Sequence, residues 1–256
     1  RLGRPLDAPA PMDELALLRH LDELSQRNVA ARGHVSLLGG GAYDHFIPSL
    51  VPQLSGRSEF LTAYTPYQAE LSQGTLQAIF EFQTLVCQLT GMEAANASMY
   101  DGASALAEAV LMAQRITDRN QVLVSAGLHP EYREVLETYV QSIGLEITTV
   151  PLRADGRTDA QAGRELAGEP CCVIGQSPNF FGVVEDWGAV AWLARDTGAL
   201  GIAVVVEALS LGLLQPPAAA DIVVGEGQSF GLSLQFGGPY VGLFATKSTY
   251  LRQMPG

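Results

Sequence analysis

Apolar positions first recur at helical spacing over residues 12–31, where Leu15, Leu18, Leu21 and Leu24 form one stripe. They predict an amphipathic helix that lies across the body or a partner. A second helical stretch starts at Gln73, carries Leu76, Ile79, Phe80 and Val86, and stops at Gly91, a residue suited to a helix C-cap. Beyond Gly91 the pattern changes. Short apolar runs at 95–99, 122–125, 146–150, 171–175, 202–206 and 222–224 predict strands, and helical stretches at 103–117, 131–142 and 187–197 fall between most of them. Pro130 suits a first helical turn, where its missing N–H costs nothing. The run 240–246 follows its predecessor with no room for a helix, so it is expected to pair antiparallel. The pattern predicts an α/β fold, a mixed and mostly parallel sheet flanked by helices.

Charge and cysteine content narrow the function classes. A net charge of -12 argues against a nucleic-acid partner and an anionic membrane surface, since both call for clustered Arg and Lys. The longest apolar stretch, 200–214, is interrupted by Glu207 and Ser210 and is too short to span a bilayer, so it reads as a buried strand and loop. Three cysteines, two of them adjacent at Cys171 and Cys172, make neither a disulfide framework nor a CxxC metal site, and a reducing cytoplasmic location fits. The four histidines, His20, His34, His45 and His129, lack metal-ligand spacing, so no metal is expected. No N-terminal signal is visible, and a chain running from Arg1 to Gly256 is expected to be part of a longer one.

Several segments carry candidate chemistry. Ser98 to Ala105 leaves a strand and opens a helix, where small residues let backbone N–H groups approach an anion; the cap reading of Asp101 is favoured, because an aspartate there would also repel a phosphate. His129 stands where ligands bind in open α/β sheets, against the alternative of a solvent-facing loop residue. Tyr64-Thr65-Pro66-Tyr67-Gln68-Ala69-Glu70 is the densest polar and aromatic cluster, a turn presenting phenols, an amide and a carboxylate, or else a helix N-terminus with surface tyrosines. Neither Gly39-Gly40-Gly41 nor Gly237-Gly238-Pro239 follows GxGxxG, and Ser229 has no GxSxG elbow, so nicotinamide and hydrolase readings lack support. One lysine, Lys247, is present in the whole chain.

The run Phe60-Leu-Thr-Ala-Tyr-Thr-Pro-Tyr-Gln-Ala-Glu-Leu-Ser-Gln-Gly74, followed by Asn96-Ala-Ser-Met-Tyr-Asp-Gly-Ala-Ser-Ala-Leu-Ala-Glu108, closely resembles the glycine decarboxylase P-protein of the glycine cleavage system. The likeness continues through Leu128-His-Pro-Glu-Tyr132, Gln176-Ser-Pro-Asn-Phe180, Leu209-Ser-Leu-Gly212, Asp221-Ile222, Gly225-Glu-Gly-Gln-Ser229 and Phe236-Gly-Gly-Pro239. Within that family, Leu37-Leu-Gly-Gly-Gly-Ala-Tyr-Asp-His-Phe46 resembles the separately encoded alpha subunit.

The resemblance implies the large domain of a type I pyridoxal phosphate (PLP) transferase, of the aspartate aminotransferase kind, over 37–256, preceded by a lead-in and helical arm over 1–36. The family's small C-terminal domain falls outside the chain. It implies an enzyme, glycine dehydrogenase (aminomethyl-transferring, decarboxylating), in which a beta subunit holds PLP and the aminomethyl product passes to the lipoyl group of H-protein. Motif order puts Ser229 where the beta subunit carries the PLP-binding lysine, and Glu207 near the place of the aspartate that faces the pyridine nitrogen. With Ser104 and His129 these are degenerate positions, so no cofactor-binding residue is expected on this chain. Tyr64, Tyr67, Gln68 and Glu70 are implied to wall an active site shared with the beta subunit. Tyr240 stands where relatives often have histidine. A purely structural subunit, or a self-sufficient PLP enzyme using Lys247, are the competing expectations.

Overall fold

A computed structural model describes residues 3, 8–30, 33–35, 37, 39–61 and 65–256. They fall into two compact units, Arg1–Leu38 and Gly39–Gly256. In the first, α1 (Glu14–Ser25) opens at Asp13, whose carboxylate accepts the Ala16 N–H at 2.8 Å. The helix is shorter than its apolar stripe predicts. Asn28 explains the stop, because its side-chain amide bonds the Leu24 and Ser25 carbonyls and competes with further helical turns. No residue of α1 is buried.

In the second unit, short helices α2 (Leu50–Ser55) and α3 (Ser58–Leu61) precede the long α4 (Gln73–Thr90), which ends at Gly91 with φ 72° as its period predicts. The chain then builds β1 (Ala94–Ala95), α5 (Gly102–Thr117), β2 (Gln121–Ser125), α6 (Pro130–Val140), β3 (Glu146–Val150), α7 (Ala160–Leu166), β4 (Pro170–Gln176), α8 (Trp187–Thr197), β5 (Leu200–Val205), β6 (Ile222–Glu226) and β7 (Gly242–Thr246). These strands form one sheet in the order β1-β7-β6-β5-β4-β2-β3. Strands β2 to β6 pair parallel, while β7 lies antiparallel between β1 and β6.

Side-chain alternation assigns the two faces. Val122, Val124, Cys172, Ile174, Ile202, Val204, Ile222, Val224 and Phe244 point one way, onto α5 and α6. Leu123, Val173, Ala203, Val205, Val223 and Leu243 point the other way, onto α4, α7 and α8. Both faces are covered, which is why the strands read as unbroken apolar runs. Cys171 and Cys172 are buried in β4 and Cys87 is partly buried; all three are free thiols. Among the described residues no helix is long and apolar enough to cross a membrane.

Two expectations need correction. The strand expected at 95–99 is only Ala94–Ala95, because the Asn96 Oδ1 accepts the Ser98 N–H and Ser98 takes a positive φ of 108°, turning the backbone away until an isolated bridge forms between Met99 and Gly242. The helix α7 has no counterpart in the sequence pattern. It packs through small residues; a Cβ on Gly163 would come within 2.7 Å of Leu193 Cδ2, so there is no apolar stripe to read.

Candidate functional site

Loops after the parallel strands gather at one edge of the sheet. The strand order reverses around β2 and β4, and His129, which follows β2, stands at that switch point. It is buried rather than solvent-facing, which corrects the alternative reading. Its N–H is held by the Gln176 side chain from the end of β4 at 2.8 Å. As N-cap of α6 its Nδ1 accepts from the Glu131 N–H, leaving Nε2 to donate to the Gly40 carbonyl at 2.7 Å. The loop after Gly39 therefore lies on the imidazole: a Cβ at Gly41 would meet His129 Nε2 at 3.1 Å and Val206 Cγ1 at 3.3 Å.

The same loop makes two further attachments. The Gln228 amide bonds both backbone groups of Tyr43, at 3.1 Å each, and His45 Nε2 lies 2.9 Å from the Glu207 carboxylate. The second Glu207 oxygen accepts the Leu209 N–H. Glu207 is thus committed to an imidazole and a turn. Ser229 is buried with a hydroxyl that has no hydrogen-bond partner.

At the N-terminus of α5, Asp101 and Ser104 form a capping box, with Asp101 Oδ1 accepting the Ser104 N–H and hydroxyl at 2.7 Å each. The cap reading of Asp101 holds, and Ser104 is used up by it. A second carboxylate sits beside it. Glu226, at the end of β6 and 4% exposed, accepts the N–H groups of Gly102 (2.9 Å), Gln228 (3.0 Å) and Val241 (3.0 Å). Burial pushes its pKa above the ordinary 4.5 against the pull of those three donors, and Asp101 adds to the rise. Burial likewise raises the phenols of Tyr132 and Tyr240, with the Glu226 charge next in effect, so both stay protonated. The approach is possible because the contact is lined by glycine. A Cβ on Gly242 would lie 2.3 Å from the Asp101 carbonyl, and one on Gly102 would lie 2.2 Å from the Tyr132 hydroxyl.

Lys247 is far from this edge. It follows β7, which runs antiparallel, so it emerges at the start of β6 and pairs with Asp221 at 2.6 Å. This counts against the self-sufficient PLP reading.

Of the turn read as a shared wall, Tyr64 lies outside the described residues. Tyr67, Gln68 and Glu70 are exposed. The turn is held by its own backbone, with the Gln68 carbonyl accepting from Leu71 and Ser72, and Gln68 itself adopts φ 54°. The N-cap of α4 is Ser72, so Glu70 does not cap that helix. Among the described residues no hydrogen bond joins this turn to the His129, Glu207 and Glu226 cluster. The structure thus brings Ser104, His129, Glu207 and Ser229 to one edge, and Tyr67, Gln68 and Glu70 lie on an exposed turn. Sequence reasoning singles out neither Glu226 nor the His45–Glu207 pair, although a glutamate flanked by Gly225 and Gly227 at the end of an apolar strand is a visible signal.

The residues present do not fit a bound PLP. The cofactor needs an amine, a cradle for its phosphate and an acid facing its ring nitrogen. Here the one lysine is at the opposite edge, two carboxylates hold the donors at the N-terminus of α5, and Glu207 is held by His45.

The model of the glycine cleavage system P-protein family matches residues 1–256. A protein of Anaeromyxobacter dehalogenans (strain 2CP-C) named "Probable glycine dehydrogenase (decarboxylating) subunit 1" is 57% identical over the whole of this chain and 58% of its own length. A crystal structure of glycine decarboxylase (P-protein) of the glycine cleavage system, in inhibitor-bound form, superposes with TM-score 0.91 at 50% identity, over all of this chain and 57% of that one. The sphingosine-1-phosphate lyase of Burkholderia pseudomallei K96243 shares the fold at TM-score 0.72 and 15% identity, over 98% of this chain and 63% of that one. The architecture is that of fold type I PLP-dependent enzymes. The chain spans slightly under three-fifths of the length of the relatives it matches. By the full-length family match and these identities, it belongs to the glycine cleavage system P-protein family.

Proposed function

We propose that this chain is the subunit of a glycine dehydrogenase (aminomethyl-transferring, decarboxylating) that does not carry the cofactor. It acts in the cytoplasm with a PLP-bearing beta subunit, and the complex takes glycine and the lipoyl group of H-protein as substrates. One observation carries the reading: the sheet edge where this fold presents ligands is saturated by the chain's own His45, Glu207 and Glu226, and its only lysine emerges at the other edge. Chemistry that needs PLP then has to use another chain. Exposed large apolar side chains support a permanent partner, among them Phe46, Tyr100, Leu213 and Phe236. In this reading 1–36 is an arm and 37–256 the large domain.

The exposed turn with Tyr67, Gln68 and Glu70 is the part offered to the shared site, with Tyr64 preceding it. Its role is to position the glycine carboxylate or to gate the path of the lipoyl arm. Among the described residues no hydrogen bond joins the turn to the edge cluster, which favours one second reading, a structural subunit that only stabilises the beta chain. Reconstitution with the beta subunit and a lipoate-dependent glycine–bicarbonate exchange assay separate the two. Losing a hydrogen bond to a charged group costs about 1.5–3 kcal/mol, so Tyr67→Phe and Gln68→Ala should each lower kcat/KM roughly ten- to a hundredfold with Tm nearly unchanged. Unaltered turnover in an assembled complex would establish the structural reading.

A further inference from the structure

We propose that the cavity between the first turn of α8 and the segment that follows β5 is a binding site for a small organic ammonium ion, a primary amine carried on an aromatic or alkyl body. Its volume of about 360 Å³ lies within the range of small-molecule sites. Three parts of the chain build it: Ser177 after β4, residues 184–188 at the entrance to α8, and residues drawn from 210–217 beyond β5. None of Ser104, His129, Glu207, Glu226 and Ser229 lines it.

Two carboxylates line the cavity, and neither takes part in an ion pair among the described residues. Glu185 is buried, and its oxygens accept from the Thr158 N–H and hydroxyl and from the Asn179 amide at 2.9–3.2 Å, all of them neutral donors. Asp186 caps α8 through Oδ1, which accepts the Gly188 and Ala189 N–H groups; among the described residues its Oδ2 accepts no hydrogen bond. Arg157 reaches this wall but donates to the Val184 carbonyl at 3.0 Å rather than to either carboxylate. A Cβ at Gly188 would stand 3.0 Å from Asp186 Oδ1, so the glycine leaves that carboxylate uncovered. Ser210, in the opposite wall, has a buried hydroxyl with no partner, an acceptor that an N–H group can satisfy.

The rest of the lining is largely apolar. The Trp187 indole packs on β4, where a Cβ at Gly175 would come within 3.4 Å of its Cζ3, and Val205, Leu211 and Leu214 stand around it. Carboxylates beside an indole recognise an ammonium head by charge and its body by apolar contact. An anion would meet two like charges. A metal ion would lack ligands, since among the described residues no group of three His, Cys, Asp or Glu side chains could hold one. The chain's net charge of -12 also draws in cations. The proposal stands whether or not the chain works with a PLP-bearing partner.

The test uses the full chain carrying Trp192→Phe, which leaves Trp187 as the reporter of the two tryptophans. Its fluorescence is titrated at neutral pH and matched ionic strength with phenethylamine, phenethyl alcohol and phenylacetate, which share a body and differ in the charge of the head. The amine should change the emission saturably with a Kd of about 1 mM, the alcohol should bind at least about fivefold more weakly, and phenylacetate should not bind. Asp186→Asn keeps an oxygen for the α8 cap and removes the charge, so it should weaken the amine about three- to tenfold while leaving the alcohol and the Tm nearly unchanged. Calorimetry on the wild type reads the same three ligands without any substitution, so the comparison survives a variant that does not fold. No saturable binding of the amine, equal affinity for amine and alcohol, binding of phenylacetate, or a folded Asp186→Asn that binds the amine as the wild type does would each overturn the proposal.

Discussion

Replacing Gly102 by alanine isolates the contact that lets α5 meet the sheet. An added Cβ would lie 2.2 Å from the Tyr132 hydroxyl, 2.9 Å from the Gly225 carbonyl oxygen and 3.0 Å from its carbon. The tyrosine can yield only a little, because its ring packs on His129 at a centroid distance of 5.3 Å. Gly225 cannot yield at all, being paired with Val205 on one side and Leu243 on the other. The helix must therefore back away, stretching the 2.9 Å bond from the Gly102 N–H to Glu226. Overpacking of this kind costs about 1–3 kcal/mol, and loss of a charge-assisted bond places the substitution at the upper end, about 2–3 kcal/mol. Alanine's better helix propensity offsets little of this at the first position of the helix. Urea unfolding with a double-mutant cycle checks the reasoning. Tyr132→Phe should recover about 1 kcal/mol of the loss by removing the closest atom, while the backbone clash preserves the rest. Full recovery in Gly102→Ala/Tyr132→Phe, or a neutral Gly102→Ala, would refute the claim that the β6 backbone sets the approach.

Three further expectations follow from the geometry. Since the pKa of Glu226 is raised above 4.5, the fold binds its proton more tightly than the unfolded chain does; its contribution is largest below pH 4.5 and declines as pH rises through the folded value. Urea unfolding from pH 4.5 to 7 should show this slope in the wild type and not in Glu226→Gln, while Asp101, the neighbouring carboxylate, is unchanged in both; identical slopes would remove Glu226 as the cause. Lys247→Met should cost no more than about 1 kcal/mol, because its ion pair with Asp221 is partly exposed, and borohydride treatment with PLP should leave no specific adduct at Lys247 in the wild type. Gln68→Gly should stabilise the turn by about 0.5–1 kcal/mol by relieving a left-handed backbone, and should lower turnover if the amide positions substrate; unchanged stability would mean that φ 54° carries no strain.

Much of the fold is legible in the chain because local pattern and tertiary burial agree. The strand 146–150 and helix 187–197 coincide with their periodic runs, Gly91 ends α4, and the lack of room before 240–246 correctly implies an antiparallel partner. What escapes the pattern has local causes. The Asn96 side chain ends β1 after two residues, and α7 packs through alanine and glycine. The edge cluster is legible in part. Asp101, His129 and Glu207 can be found from their places next to strands, but the pairing of His45 with Glu207 spans 162 positions and that of Glu226 with Gly102 spans 124. Contacts at such separation leave no periodic trace, and only glycines on both sides of a strand-end glutamate hint at one of them.

The place of β7 in the sheet bears on how the chain is made. This last strand lies between β1 and β6, so Ala94 and Ala95 have no strand to join until Thr246 has been synthesised some 150 residues later. At roughly 5–20 residues per second, the growing chain spends about 8–30 s with β1 unpaired, and β6 has an open edge from its synthesis until β7 follows. The Val241 N–H arrives with the same strand, so Glu226 acquires its third donor only at that stage. Nascent chains that stop short of β7 should therefore offer chaperones and other sheets an unpaired β6 edge, and release of that hazard should coincide with emergence of Gly242–Thr246 from the ribosome.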